Sequence, residues 1–564
     1  MSKTNSKLAS IIGEKKPKPQ LVVANNIPKP NTTNQQGLPA YSQDKWLKLL
    51  TMLNTLKLQP QYYRNEVTAL KELQDLIQVC ATENPYFTCQ CIVYSRCLGE
   101  GMRTISHAAS VFVAPFISGQ EYSKRFYGLW NKKEKKGGVI FRPDDMSEII
   151  SGFVALNGEY QTTTVTNSKG TSTTVDISGT KLTNAMKKGF KSALESMDSY
   201  SLLKYKSSLI DVINLVHPNP NVSREYVTVN GEEVYTIDAI MRGLNVSANT
   251  WEVNQGNAGQ IVAQAVKEGK IDEVEAKEIL TQAKSDNWKE LLDTNKLPIL
   301  ACLRNLRNIL INNPTQDTIT KVCNLVSNPK LIREGKIMPY QLDLANEIML
   351  SEFNNSYSRQ ISQALAKGYE LAVPNLKEML PGNNVILLDM SGSMSWSIKL
   401  KVGNKEMSSS SSCAEKAALI AATVAKATNA DVIVFGYSAK YVQYNPNLDV
   451  FSLAKQLCNP NMGGTDLASA WRLAQQSGNK YDRVFILSDN EVNKGSTYSS
   501  YMSYVKNVGH PYVYSVDLCG YGTNCIAGDK VRYYYGYGFA MFDDIASSEF
   551  NPNYHIEKVK QVVI

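Results

Sequence analysis

At 564 residues the chain is long for a single hydrophobic core, so at least two domains are expected. Its composition is globular, 43% hydrophobic and 20% charged, and no run of about eighteen uncharged apolar residues is present, so no membrane-spanning helix is expected. The net charge of +8 is modest and does not by itself require a nucleic-acid partner.

Residues 1–41 are rich in Lys, Asn, Pro and Thr and lack the compact apolar stretch of a signal peptide. They read as a disordered basic tail, with seven lysines against two acids over 1–45. From 42 to 380 the pattern is mostly helical. Apolar residues recur at spacings of three and four in Trp46-Leu47-Leu49-Leu50, in Val67-Leu70-Leu73-Leu76-Ile77 and in Ile299-Leu300-Leu303-Leu306-Ile309-Leu310. Short polar turns such as Asn312-Asn313-Pro314 break it. Helices of similar length joined in this way predict stacked pairs, an α-solenoid, although no clean internal repeat is visible. The Thr- and Ser-rich stretch 161–179 reads as a surface loop or hairpin between helices. Ten scattered cysteines form no C-x-x-C pair, and Cys89-Gln90-Cys91 is too tight for a zinc knuckle, so reduced thiols in a cytoplasmic protein are expected.

Two basic clusters lie in this half. Lys124-Arg125-Phe126-Tyr127-Gly128-Leu129-Trp130-Asn131-Lys132-Lys133-Glu134-Lys135-Lys136 interleaves cations with aromatic rings, a mixture that can pair phosphates and stack bases. An amphipathic helix end followed by a solvated loop is the commoner outcome for any one charge run. The second cluster holds Lys181, Lys187, Lys188, Lys191, Lys204 and Lys206.

Leu380-Pro381-Gly382-Asn383-Asn384 punctuates the chain. Beyond it, over 381–564, strands alternate with helices: strands near 385–389, 432–436, 484–488 and 512–517, helices near 412–428, 466–476 and 498–508. Each strand is a continuous apolar run, as a sheet covered on both faces requires, so an α/β doubly wound, Rossmann-like domain is predicted. Ligands of such sheets bind outside the carboxyl ends of the strands. Two acids stand there, Asp389 at the end of Val385-Ile386-Leu387-Leu388 and Asp489 at the end of Val484-Phe485-Ile486-Leu487-Ser488. Asp389-Met390-Ser391-Gly392-Ser393 adds two hydroxyls and Gly463-Gly464-Thr465-Asp466 a third. Two carboxylates with neutral oxygen donors suit a hard divalent cation such as Mg²⁺. No general base stands near them in sequence, so the site reads as binding and not catalysis. The Ser408–Ser412 run is placed in the loop before the first helix of this domain.

Asp389, Ser391, Ser393, Thr465 and Asp489 together resemble the metal-ion-dependent adhesion site of a von Willebrand factor A domain. In the helical half, Lys204-Tyr205-Lys206 followed by Leu209-Ile210-Asp211-Val212-Ile213-Asn214-Leu215-Val216-His217-Pro218 resembles a signature of the TROVE domain. Leu297-Pro298-Ile299-Leu300-Ala301-Cys302-Leu303-Arg304-Asn305-Leu306 resembles another, Asp238-Ala239-Ile240-Met241-Arg242 is a weaker match, and Asp489-Asn490-Glu491 is similar to the T-D-N-E ending, with Ser488 in place of Thr. This domain order is that of the Ro autoantigen family and its bacterial relatives. The resemblance implies a ring of HEAT-like helical repeats closed by the A domain. It implies capture of single-stranded 3′ ends of misfolded or damaged non-coding RNA in RNA quality control. It also implies a Y or Y-like RNA on a basic surface, and leaves room for an exoribonuclease or other protein partner. Carried over by motif, Lys204, Lys206 and His217 would meet RNA. Arg304 is placed on a helix that would line the ring, and Lys187 and Lys188 belong to the basic cluster beside them. The residues alone also allow His217 to be a helix cap, Arg304 to sit in a helix-packing ion pair and Asn305 to brace helices.

Two other function classes follow from the same residues. A protein-interaction scaffold would use the metal to bind a partner's carboxylate. A phosphatase of the haloacid-dehalogenase type would use Asp389 as nucleophile, but it needs an acid two residues on, where Ser391 stands. With four histidines in total and none near a Ser or Cys nucleophile in sequence, no enzyme is expected.

Overall fold

The computed structural model describes residues 27–564 except 57–62, 64, 100, 158–159, 167–171, 179–181, 222–224, 245, 247–261, 269, 336, 338, 374–375, 396, 403–404, 460–461, 537–539, 550 and 552. Lys181, part of the second basic cluster, lies outside the described residues, as does most of the expected tail.

The tail is nonetheless ordered from Ile27 on, a departure from the disorder expected for 1–41. Strands β1 (Thr32–Thr33) and β2 (Pro39–Ser42) pair antiparallel, and β2 pairs in turn with β16 (Thr523–Asn524). Asn34 Nδ2 donates to the Val492 carbonyl at 2.6 Å and the Gln35 N–H to Glu491 Oε2 at 2.9 Å. These polar residues owe their order to partners more than 450 positions away, which no local pattern announces.

Two groups of helices follow. The first comprises α1 (Lys45–Thr55), α2 (Glu66–Glu83), α3 (Pro85–Cys97), α4 (Thr104–Phe112), α5 (Ser123–Phe126), α6 (Asp144–Asn157), α7 (Asn184–Ser196), α8 (Ser199–Lys204), α9 (Lys206–Val216) and α10 (Thr236–Met241). Hairpins β3–β4 (Trp130–Asn131, Lys136–Gly137), β5–β6 (Tyr160–Thr166, Ser172–Ser178) and β7–β8 (Tyr226–Val229, Glu232–Tyr235) interrupt it. The second comprises α11 (Glu273–Asp293), α12 (Ile299–Ile311), α13 (Gln316–Val326), α14 (Pro329–Glu334), α15 (Pro339–Glu352), α16 (Ser356–Ala372) and α17 (Leu376–Met379). Their starts are written in the sequence. Asp44, Asn65, Asn84, Thr183, Asp198, Asp272, Thr315, Asn328 and Asn355 each accept backbone N–H groups as N-caps. The first group's core, from Leu49 to Ile240, also takes in Tyr535, Val559, Val562 and Ile564 of the C-terminal domain. The second shares one with the C-terminal domain.

That domain is built on a six-stranded sheet in the order β13-β12-β9-β14-β15-β17. The strands are β9 (Asn384–Asp389), β12 (Asp431–Phe435), β13 (Ala439–Tyr441), β14 (Arg483–Ser488), β15 (Tyr512–Asp517) and β17 (Val531–Tyr535). All are parallel except β13, which pairs antiparallel at the edge. Helix α18 (Cys413–Thr428) opens with a capping box of Ser412 and Glu415, and its apolar face joins the sheet to the second helical group. Helices α20 (Leu467–Gln476) and α21 (Thr497–Asn507) cover the other face through Trp471, Tyr501 and Tyr504. Four elements complete the domain: α19 (Val450–Leu457), α22 (Ala540–Ser548), α23 (Tyr554–Lys560) and the antiparallel hairpin of β10 (Ser397–Val402) and β11 (Lys405–Ser412). Ser408–Ser412 is thus strand, where a loop was expected; a serine run carries no alternation to mark it.

The helical segment meets this domain at both of its ends. At the start, α1 packs by β17 and α3 by α23, and Gln90 Nε2 donates to the Lys560 and Val562 carbonyls at 2.7 and 2.8 Å. At the finish, α16 packs on α19 and α17 on α18, Tyr369 Oη meets Thr423 Oγ1 at 3.1 Å, and Lys416 is clamped by Asp343 and Glu347.

Candidate functional site

Consecutive parallel strands run outward in opposite senses from β9 and β14, so the crevice at their carboxyl ends is the topological switch point of the sheet. Asp389 ends β9, and Asp489 directly follows β14, the neighbouring strand. The two acids 100 positions apart in sequence are therefore brought together at this edge.

Three loops converge on them. The Ser391–Ser393 loop is tied to the Gly463–Thr465 loop by the Gly392 N–H to the Gly463 carbonyl, 2.8 Å, and by the Met462 N–H to the Met390 carbonyl, 2.8 Å. Thr465 N–H donates to Asn493 Oδ1 at 2.8 Å, and a Cβ on Gly464 would stand 2.8 Å from that same oxygen, so a side chain there would displace the Asn493 amide. Asp389, Ser391, Ser393, Thr465 and Asp489 are all buried. Ser391 N–H donates to Asp389 Oδ1 at 2.9 Å, Ser391 and Ser393 hydroxyls lie 3.3 Å apart, and Glu491 N–H donates to Asp489 Oδ1 at 3.0 Å. Ser488, in the place of the family's Thr, donates its hydroxyl to Asp389 Oδ2 at 2.5 Å. Its role is thus to hold the first acid.

The electrostatics are those of acids buried side by side. Burial first, and the Asp489 carboxylate second, push the Asp389 carboxyl up to about 7; burial raises Asp489 as well. Burial and then Asp489 likewise push Glu491 up to about 8. Asp489 Oδ2 is buried without a hydrogen-bond donor. Two buried carboxylates, one with an orphaned acceptor and hydroxyls beside it, are relieved by a proton or by a hard cation. Among the described residues no cluster of three or more His, Cys, Asp or Glu suited to a metal occurs.

The residues expected at an RNA surface are spread over several helices. Lys187 is half-buried and Lys188 exposed on α7; Lys204 is exposed at the end of α8, its Nζ 5.7 Å from the Tyr200 ring centre. Lys206, at the start of α9, donates to the Leu244 carbonyl at 3.0 Å and is half-buried, so part of its charge serves packing. His217 ends α9 in the left-handed conformation, φ 48°, its N–H bonded to the Ile213 carbonyl at 3.0 Å; the backbone caps the helix and the side chain is exposed. Arg304 is exposed on α12 and makes no ion pair among the described residues, the neighbouring Arg307 pairing instead with Glu352. Asn305 donates to the Ala301 carbonyl of its own helix at 2.9 Å. Arg304 belongs to the second helical group and the others to the first.

Sequence reasoning missed a buried ion network in the first group. Arg96 Nη2 donates to both oxygens of Asp145, at 2.9 and 2.8 Å, Arg103 and His107 reach the same carboxylate at 3.1 Å, and the N–H groups of Phe141 and Arg142 donate to it at 2.9 Å. Its members come from α3, α4 and α6, and no spacing links them.

Fold and site together define a helix-rich segment joined to an A-type domain with an acid-and-hydroxyl site at its sheet edge. Comparison with known families agrees. A family model described as the TROVE domain matches residues 263–396, and one described as the Ro60 vWA domain matches residues 384–507. The chain thus carries a TROVE-type segment followed by a Ro60-type vWA domain. The motifs at 204–218 and 238–242 lie ahead of the matched stretch. Among solved structures, that of the Deinococcus radiodurans Ro (RSR) protein is similar at 14% identity, covering 90% of this chain and 100% of that chain with a TM-score of 0.46.

Proposed function

We propose that this chain captures single-stranded 3′ ends of misfolded or damaged non-coding RNA and holds a Y or Y-like RNA, acting in RNA quality control in the cytoplasm. The observation that carries the reading is the closure of the helical segment onto the A-type domain at both ends, with two helical groups that keep separate cores. A HEAT-like ring with an opening between the groups is the architecture this supports, and Arg304 on one group and Lys188, Lys204 and His217 on the other are exposed cationic or polar groups suited to its RNA. The cytoplasmic placement is supported by ten cysteines of which none is in a disulfide. An RNA carrying 4-thiouridine at its 3′ terminus tests the capture. Irradiation is expected to attach it within the helical segment, and adducts confined to the A-type domain would remove the reading.

Asp389, Ser391, Ser393, Thr465 and Asp489 would hold Mg²⁺ in this proposal. When bound, the ion supplies positive charge and an open position for an anionic oxygen. The chain's own residues position and bury the site. His107, His510 and His555 are engaged with Asp145, Asp529 and Asp544 and His217 stands exposed at the end of α9, so no histidine serves the site, and the raised Glu491 is held by the Gln35 N–H. A binding role is the one these residues support. The same observation supports a second reading, a scaffold that binds a partner's carboxylate through the ion, with an exoribonuclease or another protein as the partner.

A further inference from the structure

The first basic cluster folds into a groove. The β3–β4 hairpin, α5 and α7 enclose a depression of about 1250 Å³, larger than the roughly 300–1,000 Å³ of a small-molecule pocket. Lys124, Arg125, Lys132, Lys133, Lys136 and Lys188 line it, with Ser192 and Ser196 one and two turns further along α7. Among the lining residues Asp198 is the acidic side chain, and it is occupied as the N-cap of α8, accepting from Ser201 N–H at 2.7 Å. Lys136 pairs with Glu134. Lys124, Arg125, Lys133 and Lys188 are exposed and have no ion-pair partner among the described residues.

Like charges gathered in one concavity repel one another, so something must hold them there. Glycines do. A Cβ on Gly138 would lie 2.2 Å from the Arg125 carbonyl oxygen and 2.5 Å from that of Gly128, and one on Gly137 2.4 Å from that of Leu129. On α7, a Cβ on Gly189 would lie 2.6 Å from the Lys124 carbonyl oxygen. Backbone stands against backbone at each contact, and this closeness brings Lys188 to the cations of α5 and the hairpin. The rings are not free to stack on a ligand: Trp130 is buried, and Phe141 carries Lys132 Nζ at 4.3 Å and Arg96 at 5.1 Å. The groove therefore offers a row of point charges and hydroxyls without a platform for bases.

We propose that this groove binds the phosphodiester backbone of RNA without reading its sequence, as a contact separate from Lys204, Lys206 and His217. The proposal rests on the RNA-binding reading above. A phosphate chain matches it in charge, in length and in its indifference to base identity.

The test uses the full chain with Lys124→Ala, Arg125→Ala and Lys133→Ala combined. The control combines Lys440→Ala, Lys455→Ala and Lys506→Ala, equally exposed on the A-type domain. Fluorescence anisotropy is read across salt for two RNAs sharing one hairpin, one blunt and one with a single-stranded 3′ tail. Each lost contact to a single strand lowers the slope of log affinity against log salt by about 0.7, so the groove variant should lose about 2 from the slope and bind at least ~10-fold more weakly near 0.1 M salt. The control should match the parent. Loss on the tailed RNA alone assigns the groove to single strands, and loss on both assigns it to duplex as well; either supports the proposal. A groove variant that binds like the control overturns it and leaves the 3′-end reading standing. A parent with no preference for the tail sinks the 3′-end reading while the slope still decides the groove, and a parent that binds neither RNA sinks both. Displacement of the RNA by polyglutamate of matched charge would overturn the RNA assignment in favour of an acidic protein.

Discussion

Asp389→Asn separates the two ways of relieving the buried acid pair. Asn keeps the shape and the acceptor for the Ser391 N–H, and Ser488 Oγ can turn to accept from the new amide. What disappears is a buried negative charge beside Asp489. Asp389 is held at about 7 against an ordinary 3.8. A raised carboxyl leaves stability untouched below its unfolded value, then costs it progressively as pH rises to the folded value. At pH 8 without divalent ions the cost is of order 4 kcal/mol, from about 1.36 kcal/mol per pH unit. The variant should therefore be the more stable protein in chelator at pH 8, by about 10 °C in melting temperature at ~2–4 °C per kcal/mol. Mg²⁺ at about 100 times its dissociation constant should stabilise the parent by ~2.7 kcal/mol and the variant not at all. Differential scanning calorimetry in chelator and in Mg²⁺ reads both. A variant less stable than the parent in chelator, or one that still responds to Mg²⁺, would refute the argument.

Other perturbations probe the frame. Burial pushes Asp145 up, but His107 and Arg96 outweigh it and leave its carboxyl well below the ordinary range. Its stabilisation is therefore complete above about pH 4 and lost as pH falls further, and Asp145→Asn should cost ~3–5 kcal/mol at pH 7 and flatten the acid limb of urea-unfolding curves. An acid limb of unchanged slope would show that the network does not control it. Burial also lowers His107, but Asp145 and Glu148 leave it raised, so its contribution is present below about pH 6.5 and fades above its folded value; NMR titration should find it above a free histidine. Gly189→Ala sets a methyl against the Lys124 carbonyl and Tyr127, a cost of ~1–3 kcal/mol by denaturant titration, and an unchanged midpoint would mean that α5 and α7 separate freely.

The sheet was legible because its strands are buried on both faces. Runs such as Val385–Leu388 leave no polar alternation to misplace, and the observed bounds fall within about a residue of those expected. Asp389 and Asp489 were placed together by the rule for carboxyl ends of parallel strands, and the structure pairs β9 with β14 as that requires. The short edge strand Ala439–Tyr441 was not legible, since three residues are too few to carry a pattern. The segment 27–42 was missed because its order comes from Val492, Glu491 and β16. Among the cationic residues, sequence could not tell that Lys206 is spent on the Leu244 carbonyl while Arg304 stays unpaired among the described residues. That distinction depends on what lies across a tertiary gap.

The central claim is capture of a single-stranded 3′ end. Its most direct measurement is the affinity of the full chain for one RNA hairpin carrying a 3′ tail against the same hairpin carrying a 5′ tail of equal length and composition. The account predicts clearly tighter binding of the 3′-tailed RNA at every salt concentration, since charge is matched and only polarity differs. Equal affinity for the two would contradict it, leaving a basic surface that holds RNA without selecting its end.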